Sequence, residues 1–204
     1  SGRTATAIAA GNQHTCAILD NASIKCWGAN ASGQLGIGDT NNRGDQPSEM
    51  GDTLPAVDLG SERTAKVIVA GGSHTCAILD DSSIKCWGEN DQGQLGLGNT
   101  TDSLNPSVVD LGSGRIPTAI ATGTMHTCAV LDNTSIKCWG EGDDGRLGTG
   151  KNRDETSPTD DTNNLGTGVN AISITAGDAH TCAILDNSSI KCWGANASGQ
   201  LGLG

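Results

Sequence analysis

Short apolar runs rich in β-branched residues, punctuated by turn-forming residues, recur along the whole chain. Residues 65–69 read Ala-Lys-Val-Ile-Val, apolar on both faces, which predicts a strand buried between neighbouring sheets. His74 to Leu79 and Ile84 to Trp87 flank Asp80-Asp81-Ser82-Ser83, a turn composition, and together predict a hairpin. Val57-Asp58-Leu59, just ahead of Gly60, supplies a fourth short strand. Four short strands of this kind make one blade of a β-propeller, in which apolar residues occupy both sheet faces because each blade packs on a neighbour at either side.

The pattern occurs four times. His14-Thr15-Cys16-Ala17-Ile18-Leu19-Asp20 returns at His74 to Asp80, His126 to Asp132 and His180 to Asp186, with Val130 as the single change. Each block leads through a polar stretch into Ile-Lys-Cys-Trp-Gly at 24–28, 84–88, 136–140 and 190–194. Gly-Gln-Leu-Gly follows at 33–36, 93–96 and 199–202, and the third copy departs with Gly145-Arg146-Leu147-Gly148. The His14–His74, His74–His126 and His126–His180 spacings are 60, 52 and 54 residues, so length varies in the connecting segments, where insertions cost little. A period of this size with several strands per unit predicts an all-β propeller of four-stranded blades. The chain is one repeat array over 1–204, with units at about 1–38, 39–98, 99–150 and 151–204.

The unit A-G-x-x-H-T-C-A-I-L-D…I-K-C-W-G-x-N-x-x-G-Q-L-G-x-G resembles the regulator-of-chromosome-condensation repeat family, in its Cys-containing variant common in secreted and surface proteins. The resemblance covers essentially the whole chain. It implies a β-propeller, usually of seven blades. It implies no particular activity, since the family spans nucleotide exchange, ultraviolet perception and β-lactamase inhibition. With the strand at 57–59 assigned to the unit that follows it, the first unit lacks its counterpart and the chain is one strand short of four complete blades. Four is the lower limit for a closed propeller. The expectation is therefore a piece of a larger propeller, or one completed by another chain, ring or filament depending on whether the rotation closes.

Composition sharpens this picture. There is no Phe or Tyr, and 30 of the 204 residues are Gly, so Leu, Ile, Val, Ala and the four Trp must fill the core. One Trp per repeat, always in Cys-Trp-Gly, reads as blade packing. A formal net charge of −11 repels phosphate backbones and excludes nucleic acid as a partner. No apolar run approaches the ~18 residues that a membrane helix requires.

The eight cysteines fall as Cys16/Cys26, Cys76/Cys86, Cys128/Cys138 and Cys182/Cys192, always ten apart. If the hairpin closes on Leu19 and Ser23 with a bulge at Ala22, Ile18 faces Ile24, Ala17 faces Lys25, and Cys16 faces Cys26. That pair lands on a non-hydrogen-bonded site with Cα atoms about 4.5 Å apart, within disulfide reach. Four intra-blade disulfides are expected, which place the protein in an oxidising, extracellular setting. Metal binding competes, because His14 and Cys16 share a strand face with Cys26 and offer soft ligands that zinc could use, though Cys-x-x-Cys spacing is absent. Free buried thiols are the third reading. The histidines themselves read as structural, bonding backbone in a neighbouring strand or blade.

Six Asn-x-Ser/Thr sequons mark glycosylation candidates at Asn21, Asn30, Asn99, Asn133, Asn187 and Asn196. Asp39 to Asp45 faintly resembles a calcium loop but lacks the spacing and distal Glu of an EF-hand. No catalytic constellation stands out from the repeat background, and no cofactor is expected. The function expected is a non-catalytic extracellular propeller acting as a protein- or glycan-interaction scaffold. The alternative is a structural component that self-assembles by head-to-tail complementation into a filament or surface layer. Partners are then other proteins or further copies of the chain.

Overall fold

The computed structural model describes residues 2–159, 165 and 168–203. Among these residues thirteen strands form four antiparallel sheets, one per repeat. The first contains β1 (Ala5–Ala10), β2 (His14–Leu19) and β3 (Ile24–Gly28); the second contains β4 (Ala65–Ala70), β5 (His74–Leu79), β6 (Ile84–Gly88) and β7 (Ser103–Val109). The third holds β8 (Pro117–Thr122), β9 (His126–Leu131) and β10 (Ile136–Gly140), and the fourth β11 (Ala171–Ala176), β12 (His180–Leu185) and β13 (Ile190–Gly194). Contacts run from each sheet to the next, with β1 on β4, β4 on β8 and β8 on β11. The sheets are the blades of a propeller arc.

The central hairpin follows from its turn. Leu19 N–H donates to the Ser23 carbonyl, and Ala22 sits at φ 60°, the left-handed bulge position of a three-residue loop. That closure sets Cys16 opposite Cys26, Ala17 opposite Lys25 and Ile18 opposite Ile24, and the same register holds in the other three blades. The inner strands carry a bulge, with the pairing shifting between Ala65 and Val67, so their faces do not alternate simply. Ile68 is buried while Val67 is half exposed.

The outer strand corrects the reading of residues 57–59. In the second blade β7 pairs with β6, Ser103 opposite Gly88 and Val109 opposite Ile84. In the first blade Arg43 bridges Gly28, and Val57 N–H donates to the Ile24 carbonyl. Val57-Asp58-Leu59 thus closes the preceding blade, as Val109 to Leu111 do, and forms no strand ahead of β4. Fourteen residues separate Arg43 from Val57 but only six separate Ser103 from Val109. The eight extra residues account for the 60- against 52-residue spacing and leave the first blade's edge with two anchor points in place of a continuous strand.

The core lies between blades. One cluster joins Cys16, Ile18, Ile24, Cys26 and Leu35 of the first blade to Ala65, Ile68, Ala77, Leu79 and Trp87 of the second. Equivalent clusters join the second to the third and the third to the fourth. Each blade therefore has two distinct faces: a cystine-and-isoleucine face toward the next blade, and an alanine, leucine and tryptophan face toward the previous one. Small residues opposite one indole suffice to fill this space, which is why Phe and Tyr are dispensable.

Candidate functional site

The repeated polar residues converge on the same interfaces. His74 Nε2 lies 3.0 Å from Thr127 Oγ1 of the following blade, and that hydroxyl donates to the Gln94 carbonyl at 2.9 Å. Trp139 Nε1 donates to the same carbonyl at 3.0 Å. The arrangement repeats as His14–Thr75 at 2.8 Å with Thr75 and Trp87 on the Gln34 carbonyl, and as His126–Thr181 at 2.9 Å with Thr181 and Trp193 on the Arg146 carbonyl. Each interface is thus latched by one His, one Thr, one Trp and one backbone oxygen from the Gly-Gln-Leu-Gly element, which is Gly-Arg-Leu-Gly in the third repeat.

A hydroxyl has one hydrogen, and here the backbone carbonyl takes it. The threonine oxygen must then accept from the imidazole, which puts the histidine proton on Nε2. Nδ1 of His14, His74 and His126 is buried without a partner. Burial holds His14 and His126 down to about 4 and His74 to about 3, so all three rings are neutral near pH 7. The glycine three residues before each His makes room for the ring: a Cβ on Gly71 would lie 2.3 Å from His74 Cε1. A second tie runs at the inner turns, where Asn12 N–H donates to the Gly72 carbonyl, Gly72 N–H to Thr124, and Thr124 N–H to Asp178.

The cysteines stand on the hairpin register. All four pairs are joined as cystines with Cα atoms 4.1 Å apart. Both sulfurs of each pair are consumed, and His14, His74 and His126 are committed to threonines, so the zinc constellation is not what these residues build. Among the described residues no group of three or more His, Cys, Asp or Glu could hold a metal ion. Asp39 is spent internally: it pairs with Arg43 at 2.6 Å, and its other oxygen accepts from Asn41 N–H and from Asn30.

Asn30 corrects one of the glycan candidates. Its side chain is fully buried; Nδ2 donates to the Asp39 and Asn41 carbonyls, and Oδ1 accepts from Leu35 N–H. A glycan there has no room. Asn90 does the same work in the second blade, through Asn99, Thr101 and Leu95. The Asn of the Cys-Trp-Gly-x-Asn motif therefore ties the start of each connector to the Gly-Gln-Leu-Gly loop, and its recurrence after every Cys-Trp-Gly but the third was the available signal. The third repeat departs twice. Gly142 replaces the Asn, against the Arg153 backbone, and Arg146 replaces the Gln, paired with Glu141 and bonded to the Asp143 carbonyl. Asn21, Asn133 and Asn187 are exposed on the hairpin turns, with Oδ1 accepting from Ser23, Ser135 and Ser189. Asp81 fills that place in the second blade, so the turn needs the oxygen and not the amide. Asn99 and Asn196 are also exposed.

A family model for the regulator of chromosome condensation (RCC1) repeat matches residues 26–78, 85–130 and 138–184, and a second RCC1 repeat model matches 5–34, 66–94 and 171–200. The chain belongs to the RCC1 repeat family. Among relatives it is 32% identical over 199 residues to the Ultraviolet-B receptor UVR8 of Arabidopsis thaliana, covering 97% of the chain and 42% of that protein. It is 30% identical over 203 residues to the probable E3 ubiquitin-protein ligase HERC3 of Homo sapiens, covering 99% of the chain and 18% of that protein. In fold it resembles yeast RCC1 (Prp20), solved bound to Kap60, with a TM-score of 0.78 and 23% identity over 100% of this chain and 46% of that one. The chain spans less than half the length of these RCC1-repeat proteins.

Proposed function

We propose that this RCC1-repeat chain is part of an extracellular propeller that acts as a non-catalytic protein-interaction scaffold. The observation that carries the reading is the division of labour within each repeat. His, Thr, Trp and Cys are consumed at the blade interfaces, which leaves recognition to the segments that differ from repeat to repeat. The antiparallel order puts the departure of the connectors at 29–42, 89–102 and 141–154 at one end of the blades, beside the turns after β1, β4, β8 and β11. The hairpin turns holding Asn21, Asn133 and Asn187 lie at the opposite end. Glycans on those three, and on exposed Asn99, belong to the same proposal; Asn196 stands at the motif position of Asn30 and makes the same bond to the following loop, from Leu201 N–H. Four cystines support an oxidising compartment. Among the described residues no helix is long and apolar enough to cross a membrane.

The test is a binding screen of the oxidised chain against arrays of extracellular proteins and glycans, followed by exchange of residues 44–56 for a Gly/Ser linker of equal length. A specific partner whose binding is lost on that exchange supports the reading. No partner, or one indifferent to every connector exchange, overturns it. Glycosylation is read separately, as a mass shift on enzymatic removal of N-glycans from the native protein.

A further inference from the structure

We draw no further inference here: the strongest candidate, the acidic surface where the connectors leave the second and third blades, with Glu89 beside Asp91 and Asp102 and Glu141 beside Asp143 and Asp154, is a cluster of carboxylates with no second feature among the described residues that points to what it would take.

Discussion

The imidazole of His74 donates across the blade boundary to the hydroxyl of Thr127, 3.0 Å away, and that hydroxyl passes its own hydrogen to the Gln94 carbonyl. Replacing Thr127 with Val keeps the shape but leaves a buried N–H without an acceptor and removes one of the two donors on the carbonyl. Each buried orphan costs about 1–3 kcal/mol. Thr127→Val is expected to lower the urea-unfolding free energy by about 2 kcal/mol. Thr15→Val, at the uncovered face, should stay within about 0.5 kcal/mol in dilute protein. Equal effects at the two sites would show that the latch contributes nothing beyond packing.

The same buried rings set the acid stability. His14, His74 and His126 are held near 4, 3 and 4, while an unfolded chain titrates histidine near 6.5. Above about pH 6.5 both states are neutral at these sites and the contribution to stability is complete. Below it the unfolded chain binds protons that the folded chain refuses, so stability falls with pH until the folded values are reached. Each histidine contributes a slope of up to about 1.4 kcal/mol per pH unit, or about 4 for three together. Chemical denaturation at a series of pH values should therefore show a flat region above 6.5 and a steep fall between 6 and 4. A protein equally stable at pH 7 and pH 5 would contradict the neutral, buried assignment.

The hairpin and the repeat were legible in the sequence because both depend on local residues. Asp-[Asn/Asp]-x-Ser closes the turn, the turn fixes the register, and the register sets Cys16 against Cys26. The outer strand was not legible. Val57-Asp58-Leu59 stands next to β4 in the chain but bonds β3, and only the pairing of Val57 N–H with the Ile24 carbonyl reveals which blade it closes. Asn30 was misread for a related reason: a sequon is three adjacent letters, whereas its burial is decided by Leu35, Asp39 and Asn41. The His–Thr latch lies between those extremes. The histidines were recognisably structural, but their partner is a side chain in a different repeat, between 53 and 61 residues away, and no local pattern names it.

Ala22 occupies the left-handed region at φ 60°, as do Ser82, Thr134 and Ser188 in the equivalent turns. A non-glycine residue there costs about 1–2 kcal/mol, whereas glycine costs nothing in the folded state but about 0.4–1 kcal/mol through the freer unfolded chain. The first effect is larger, so Ala22→Gly is expected to stabilise by up to about 1 kcal/mol. Thr134→Gly should gain less, because it also deletes the hydroxyl bond to Asn170. Thermal midpoints of the two variants check this, and a lower midpoint for Ala22→Gly would refute the strain argument.

Reduction should proceed unevenly along the array. Each cystine spans ten residues, a loop for which chain entropy gives about 3 kcal/mol, and four such terms are comparable with the roughly 5–15 kcal/mol margin of a whole domain. Cys16–Cys26, Cys76–Cys86 and Cys128–Cys138 lie buried in the inter-blade cores, whereas Cys182 and Cys192 are half-buried on the uncovered face of the fourth blade. Thiolate attack requires access to a sulfur. Under native conditions in dilute protein, mild reductant followed by alkylation and peptide mass spectrometry should label Cys182 and Cys192 first. The other six should be labelled only as the blades separate, with a large fall in melting temperature. Alkylation of the denatured, unreduced chain should label none of the eight. Simultaneous labelling of all four pairs under native conditions would mean that the blade interfaces open together and do not shield the inner cystines.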